Sequence, residues 1–383
     1  MRYLAVISFS VLLALPLFCE TKSAVLPAGS IGVGPVSAKS GGRLFAGEAA
    51  VLTATVYDIK GVAQMNRRID FFVENEAKEK SPKLNKSTGI TDKYGNVSVE
   101  FETGSDPFEL NLIRAKAAGV KNPDSNTVFF TIRAWSKPLD RLAGNYALAE
   151  DITGLRIDSG TSGGKELPES RSLYLAKKPD MSKMINVSDR TKYSIFKGGT
   201  AYSVSGEEKA RKQDVSEIIG VPFDQVNYQY AKEAFLSAHS VKLKLSEKAG
   251  LNEVYSLEAV PNMENKAYSR LDIYIDYFTG LDFEVEKYGP DKMLASRTVI
   301  NKAAEYDVLQ KKWTGRIYEH GKPCEPYPES MYPSGSGPSA SKCWIPVETE
   351  TTTYFGSAST VIRTRFEDVK VNTGISDSEF TIP

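Results

Sequence analysis

Residues 270–289 read RLDIYIDYFTGLDFEVEKYG, and the fold turns on how this stretch is taken. Leu271, Ile273 and Ile275 alternate with Asp272, Tyr274 and Asp276. After YFTG, Leu281, Phe283 and Val285 alternate with Asp282, Glu284 and Glu286. A period of two is the signature of a strand, and a short glycine-bearing link between two such runs is the signature of a hairpin. The stretch therefore predicts an antiparallel pair with one apolar face and one polar face. An antiparallel sheet with one side in water makes that pattern, so the acids are expected on the solvated face.

The same acids invite a different reading. Residues 280–286, GLDFEVE, resemble the acidic strand of family 18 chitinases, Asp-Gly-x-Asp-x-Asp-x-Glu, with Thr279 at the first Asp and Glu284 at the third, which would make Asp282, Glu284 and Glu286 the catalytic acids. That chemistry sits on a barrel in which a helix follows each parallel strand. Here Glu286 is followed by KYGPDKMLASRTVI, which reads as turn and further strand. The acids are thus read as a wet face, with no catalytic residue assigned.

Other sites fade on similar grounds. Ser194–Lys197 and Ser339–Lys342 match Ser-x-x-Lys, a pattern too short to stand without partner motifs. GTSGG and FKGGT are glycine turns that lack the ending of a phosphate loop. The two histidines, His239 and His320, lie far apart, and no Cys/His group has zinc spacing, so neither metal nor cofactor is expected. Lys plus Arg number 48, as do Asp plus Glu, which argues against nucleic acid as a partner.

The 383 residues, 41% hydrophobic and 25% charged, suit a soluble chain of two or three domains. Arg2, the apolar run YLAVISFSVLLAL and Pro16 make residues 1–24 read as a secretory signal cut between Cys19 and Ala24. Cys19 as a lipid-attachment site is the alternative, opposed by the bulky Phe18 before it. Export leaves Cys324 and Cys343 bracketing a Pro/Ser/Gly-rich loop, most simply as a structural disulfide. A catalytic thiol is the weaker option, since no histidine is placed beside either cysteine.

From about Val36 to Arg133, short alternating runs follow one another without a helical stretch, as in a β-sandwich. AGEAAVLTATVYDIKG and TDKYGNVSVEFETG in this region resemble bacterial immunoglobulin-like domains, which implies a module over 30–134 acting as spacer or adhesive unit. WSKPLD, 135–140, reads as a linker. Leu139, Leu142, Ala143 and Tyr146 have helical spacing. Strand-like runs follow, broken at 207–238, where one or two helices are expected around Pro222.

In order along 139–383 stand a leading helix, LYLAKKPDMSKM, FKGGTAYSVS, a helical interruption, VYSLEAVP, the opening hairpin, CWIPVETETTT and TRFEDVKVNTGISDSEFTIP. This succession resembles the outer-membrane lipoprotein-sorting carriers, the LolA/LolB-like family. The resemblance implies an incomplete, curved antiparallel β-barrel covered by a helical lid, with an apolar groove that shelters acyl chains. It implies that Lys178, where the family has an arginine before the proline, is a lid latch altered by losing the planar fork. Ser182 stands where the family has an apolar aromatic. The groove set expected from the pattern is Leu173, Leu175, Leu271, Ile273, Ile275, Leu281, Phe283 and Val285. The lid's inner face is expected from Phe223, Val226, Tyr230 and Phe235.

The expectation is thus a mainly β, exported, non-enzymatic protein: an immunoglobulin-like sandwich, then a LolA-like α+β half-barrel binding lipid or lipoprotein acyl chains. Periplasm or cell envelope is the expected location, and envelope membrane proteins are possible further partners. The rival is a surface adhesive or envelope-sensing protein whose half-barrel is structural, with the same apolar residues filling a sealed core.

Overall fold

The computed structural model describes residues 32–34, 44–56, 62–74, 82–104, 110–117, 127–133, 136–178, 181–197, 200–206, 210–213, 232–246, 253–263, 268–322 and 341–382. The chain forms two compact units, one chiefly from residues up to Lys137 and one chiefly from Pro138 onward.

The first unit carries β1 (Gly32–Gly34), β2 (Ala49–Thr55), β3 (Arg68–Val73), β4 (Lys83–Leu84), β5 (Thr88–Ile90), β6 (Asn96–Glu102), β7 (Leu110–Ala117) and β8 (Thr127–Arg133). They pair as two antiparallel sheets, in the orders β1-β2-β6-β4 and β5-β3-β7-β8. Alternate residues enter one shared core: Leu52, Ala54, Val97, Val99 and Phe101 from one sheet, and Ile69, Phe71, Ile113 and Ala115 from the other. Before β6 the Asp92 carboxylate accepts from the backbone N–H of Tyr94 and Asn96, closing the turn. Gly95 has φ +75°, and a Cβ there would lie 2.6 Å from the Val56 carbonyl oxygen, so the turn requires glycine.

The second unit begins with helix α1 (Pro138–Ala147). Then come β9 (Asp151–Ser162), β10 (Lys165–Lys177), β11 (Met181–Asn186), β12 (Lys192–Lys197), β13 (Thr200–Ser205) and β14 (Arg211–Gln213). Helix α2 (Lys232–Ala238) leads directly into β15 (His239–Ser246). The rest are β16 (Val254–Pro261), β17 (Arg270–Asp276), β18 (Leu281–Tyr288), β19 (Leu294–Asp307), β20 (Lys312–Glu319), β21 (Lys342–Phe355) and β22 (Ala358–Val371), closed by a 3-10 turn at Asp377–Phe380.

These strands make one antiparallel sheet in the order β14-β13-β12-β11-β10-β9-β22-β21-β19-β18-β17-β16-β15, with β20 paired to β19. β14 and β15 end the order without pairing to each other, so the sheet is large and unclosed. Residues 211–213, expected in a helix, form the short edge strand β14, and 214–231 lie outside the described residues.

The opening stretch forms the β17–β18 hairpin. The Asp276 carboxylate accepts from the N–H and hydroxyl of Thr279, and the Thr279 hydroxyl accepts from the Leu281 N–H. Gly280 has φ +70°, and a Cβ there would meet the Arg141 carbonyl oxygen at 2.7 Å. The turn is thus shaped by its own side chains and by the close approach of α1.

Candidate functional site

Directly opposed residues in an antiparallel ladder project to the same face of the sheet. One such row can be followed across the sheet: Leu257–Ile273–Val285–Thr298–Thr351–Ile362–Gly160–Leu167. Its first part is apolar, and towards β9 it turns to hydroxyls, where Thr298 and Thr351 share a hydrogen bond of 3.1 Å. On β9, Gly160 alternates in register with Asp158, Arg156 and Gly154, which oppose Ser170, Ser172 and Tyr174. Leu173 and Leu175 oppose Leu155 and Thr153 and therefore project to the other face.

The expected groove set is thereby split. Leu271, Ile273, Ile275, Leu281, Phe283 and Val285 come together in one core with Leu257, Ile300, Tyr318 and Trp344. Leu175 packs instead with Ile375 and Phe380, the C-terminal segment that covers the opposite face, and Leu173 is 44% exposed. The sequence pattern had put these two leucines with the hairpin, but the strand register places them on the other face.

Both described helices contribute to the hairpin's core: Leu139, Leu142 and Tyr146 from α1, and Phe235 from α2. Phe223, Val226 and Tyr230, the other expected lid residues, lie outside the described residues. None of the six hairpin side chains is more than 7% exposed, so this apolar face is covered in the structure.

Polar bonds add to the hold that Leu139, Leu142 and Tyr146 give α1 in that core. Lys178 Nζ donates to the carbonyl of Ala147, the last residue of α1, and reaches Glu150 at 3.1 Å. A cation there also meets the negative end of the helix dipole. At the other end, Arg141 donates to the carbonyls of Tyr277 and Phe278, and Asp140 is paired with Lys232 of α2.

Between these ends, the Asn145 carboxamide donates to the Trp344 carbonyl at 3.2 Å and accepts its N–H at 2.7 Å. β22 pairs β21 only from Glu348 onward, so Asn145 bonds the edge of β21 where no β22 pairing is made. One side chain stands in for a peptide group of a neighbouring strand. The adjoining segment is pinned by Asp151, whose carboxylate accepts from Thr373, Gly374 and Ile375. Burial works against that carboxylate, but these hydrogen bonds outweigh it and hold its pKa below the usual value.

Three of the acids expected on a wet face are buried instead. Asp276, Asp282 and Glu284 are 1%, 0% and 1% exposed. Tyr146 donates its hydroxyl to Asp282 at 2.7 Å, and Arg297 donates to Glu284 at 2.9 Å. Asp272, Tyr274 and Glu286 on the same side are partly exposed, so the polar side is covered only towards the turn, which an isolated strand pattern cannot reveal. The partners of the buried acids are structural, and among the described residues no group of His, Cys, Asp and Glu is arranged to hold a metal ion.

Cys343 is a free thiol, fully buried among Ala149, Tyr306, Ile345 and Val371, rather than the expected half of a disulfide. Its side chain is spent on core packing, and burial pushes its pKa up to about 12. Cys324 lies outside the described residues.

A shallow pocket of about 230 Å³ lies where α2 meets β15, lined by Ser237, His239, Pro261, Asn262, Met263 and Tyr268. His239 bonds the Phe235 carbonyl oxygen at 2.9 Å and the Tyr268 hydroxyl at 2.8 Å, so its ring joins helix to sheet. Sequence reasoning missed Arg141, Asn145, Tyr146 and His239 as organising residues. Helical spacing marked the apolar side of α1 but gave no sign of which backbone its polar residues would meet.

No protein-family model matches the chain, and no curated protein matches it. Among solved structures, a DUF1329 family protein from Desulfovibrio piger aligns at 14% identity with a TM-score of 0.45, covering 64% of this chain and 95% of its own. A LolA superfamily protein from Nitrosomonas europaea aligns at 13% identity and a TM-score of 0.42, covering 63% and 96%. A putative outer membrane lipoprotein-sorting protein domain from Vibrio parahaemolyticus gives 13%, 0.42, 63% and 95% for the same measures.

Proposed function

We propose that the second unit is a non-enzymatic carrier domain that takes a lipid or lipoprotein acyl chain against the apolar face of the β16–β19 sheet. The observation that carries this reading is the nature of the cover. A continuous apolar face, from Leu257 through Ile273 and Phe283, shares its core with Leu139, Leu142 and Tyr146 of α1, which is also fastened through side-chain bonds to backbone carbonyls. Such bonds are worth about 0.5–1.5 kcal/mol net each, or about 1.5–3 where the group is charged, and displacing α1 also exposes Leu139, Leu142 and Tyr146 unless the incoming chain takes their place. An acyl chain entering beneath it regains roughly 0.8 kcal/mol per buried methylene. Lys178 acts in this scheme as the C-terminal latch of α1. Export to the periplasm or cell envelope, with an immunoglobulin-like spacer ahead of the carrier domain, completes the proposal.

The second reading is an adhesive or envelope-sensing protein whose half-barrel is structural. The near-zero exposure of the hairpin side chains favours it, since a filled core needs no ligand. Native mass spectrometry with lipid extraction, on protein purified from the cell envelope, separates the two. A co-purifying acyl chain whose occupancy changes in Lys178→Met and is lost in Phe283→Asp supports the carrier. Lipid-free protein that also fails to take up a fluorescent fatty acid rejects it in favour of the structural reading.

A further inference from the structure

The two faces of β21 and β22 differ in chemistry. Glu348 opposes Arg365 and Glu350 opposes Arg363, so one face carries charge of both signs, with Arg363 donating to Glu350 at 2.8 Å. On the other face Thr349 opposes Thr364, Thr351 opposes Ile362 and Thr353 opposes Thr360. Strands β19 and β9 extend this second face: Thr298 opposes Thr351, Ser296 opposes Thr353, and Ser162 opposes Thr360. A face turned only to water would take charges, as its reverse does, and a sealed core would take apolar side chains. A block of Ser and Thr is neither. Strand propensity favours threonine on either face, so it does not explain why the charges keep to one.

The hydroxyl block continues the apolar face of the hairpin without a step. Val285 opposes Thr298 directly, and Ile300, two residues further along β19, belongs to the hairpin's core while opposing Thr349. The boundary between the two chemistries therefore runs along β19. Exposure changes there as well: Ile273 and Phe283 are fully buried, whereas Thr298, Thr349, Thr351 and Thr353 are partly exposed. The hydroxyls are only half used by one another. Thr298 and Thr351 share a bond of 3.1 Å and Ser162 and Thr360 one of 2.8 Å, and each pair spends one of its two hydroxyl hydrogens. Charge beside the block is neutralised internally. Arg156, 4% exposed, donates to both Asp158 oxygens at 2.8 and 3.0 Å, and Thr364 donates to the same carboxylate at 2.6 Å.

We propose that this block is the headgroup subsite of the carrier domain and takes an uncharged, hydroxyl-bearing head, that of an acylglycerol or a glycolipid, whose chain lies against the apolar face across β19. The proposal rests on the carrier reading and adds to it the class of amphiphile. Side chains that both donate and accept suit a head that does both, and a broad apolar surface beside a few convergent polar groups is the usual form of a small-molecule site. A carboxylate or sulfate head would shed its water and find Arg156, the cation beside the block, already engaged by Asp158.

The test is isothermal titration calorimetry of the full chain at neutral pH with amphiphiles of one chain length, each below its critical micelle concentration: a monoacylglycerol, an alkyl glucoside, a fatty acid and an alkyltrimethylammonium. The expected result is binding about tenfold or more tighter for the monoacylglycerol, the glucoside or both than for either charged head, and the tighter of the two identifies the source of the head. Thr298→Val/Thr351→Val, which replaces two hydroxyls by methyl groups, should abolish this preference and leave fatty-acid affinity within about twofold of the parent. Thr298→Ser/Thr351→Ser keeps both hydroxyls and should keep the preference. Thr351→Val alone should lose part of it and serves if the double variant folds poorly. Equal affinity for every head, tighter binding of a charged head, or a preference that survives the valine variants overturns the subsite and leaves the carrier reading standing. Failure to bind any of the four amphiphiles overturns both.

Discussion

A carboxylate is costly to take out of water, yet the β17–β18 hairpin buries Asp276, Asp282 and Glu284. Burial, the largest influence on Asp276, raises its pKa against the opposing effects of Thr279, Phe278 and Arg141. The native state therefore binds this proton more tightly than the unfolded chain. Stability contributed by the site falls as pH rises from the unfolded value, near 3.9, through the folded one, and is level above it. Asp276→Asn should remove that descending limb from a plot of melting temperature against pH, and parallel curves for parent and variant would refute the argument. Glu284 tests a second point. Its partner Arg297 is 41% exposed, so the pair is half screened. Arg297→Met should cost about 1–3 kcal/mol by leaving a buried carboxylate with a weaker environment. Arg363→Met, which breaks the exposed pair with Glu350, should stay within about 0.5 kcal/mol. Urea titration of the two variants reads the contrast, and equal losses would mean that burial of Glu284 does not matter.

At the scale of elements, alternation in residues 270–289 was enough to place β17, the turn and β18, because strand period and turn chemistry are local properties. The destination of each face was not legible. Leu173 and Leu175 look like Leu271 and Ile273 in sequence, but face assignment accumulates register across intervening strands, and the bulge between Leu167 and Ser170 is invisible in composition. Helix α1 shows the same limit: its apolar spacing was readable, whereas the bond from Asn145 to Trp344 joins residues 199 apart. Asn145→Ala should leave the Trp344 N–H and C=O without that partner and cost about 1–3 kcal/mol. Hydrogen exchange should then quicken at the Trp344 amide and along α1 while the β16–β17 ladder stays protected. If exchange quickens uniformly instead, α1 does not open as a separate element.

At the scale of the molecule, each unit has a large set of buried side chains of its own. Phe101 belongs to the core shared by β2, β3, β6 and β7, and Phe283 to the core shared by the hairpin, α1 and α2. Neither set contains a residue of the other, so each unit has the means to unfold by its own cooperative transition. This bears on the proposed carrier role, because a domain that loosens to admit a ligand must do so without unfolding its neighbour. Both phenylalanines are fully buried, and truncation of such a side chain costs about 3–5 kcal/mol through lost transfer energy and the cavity left behind. Scanning calorimetry of the whole chain should therefore resolve two transitions. Phe101→Ala should lower one of them and Phe283→Ala the other, each leaving its counterpart in place. A bound acyl chain should raise only the transition that Phe283→Ala lowers, by mass action on the native state of that unit alone. Were both substitutions to displace a single common transition, the two cores would be parts of one cooperative structure, and opening of α1 would have to be charged to the stability of the entire chain.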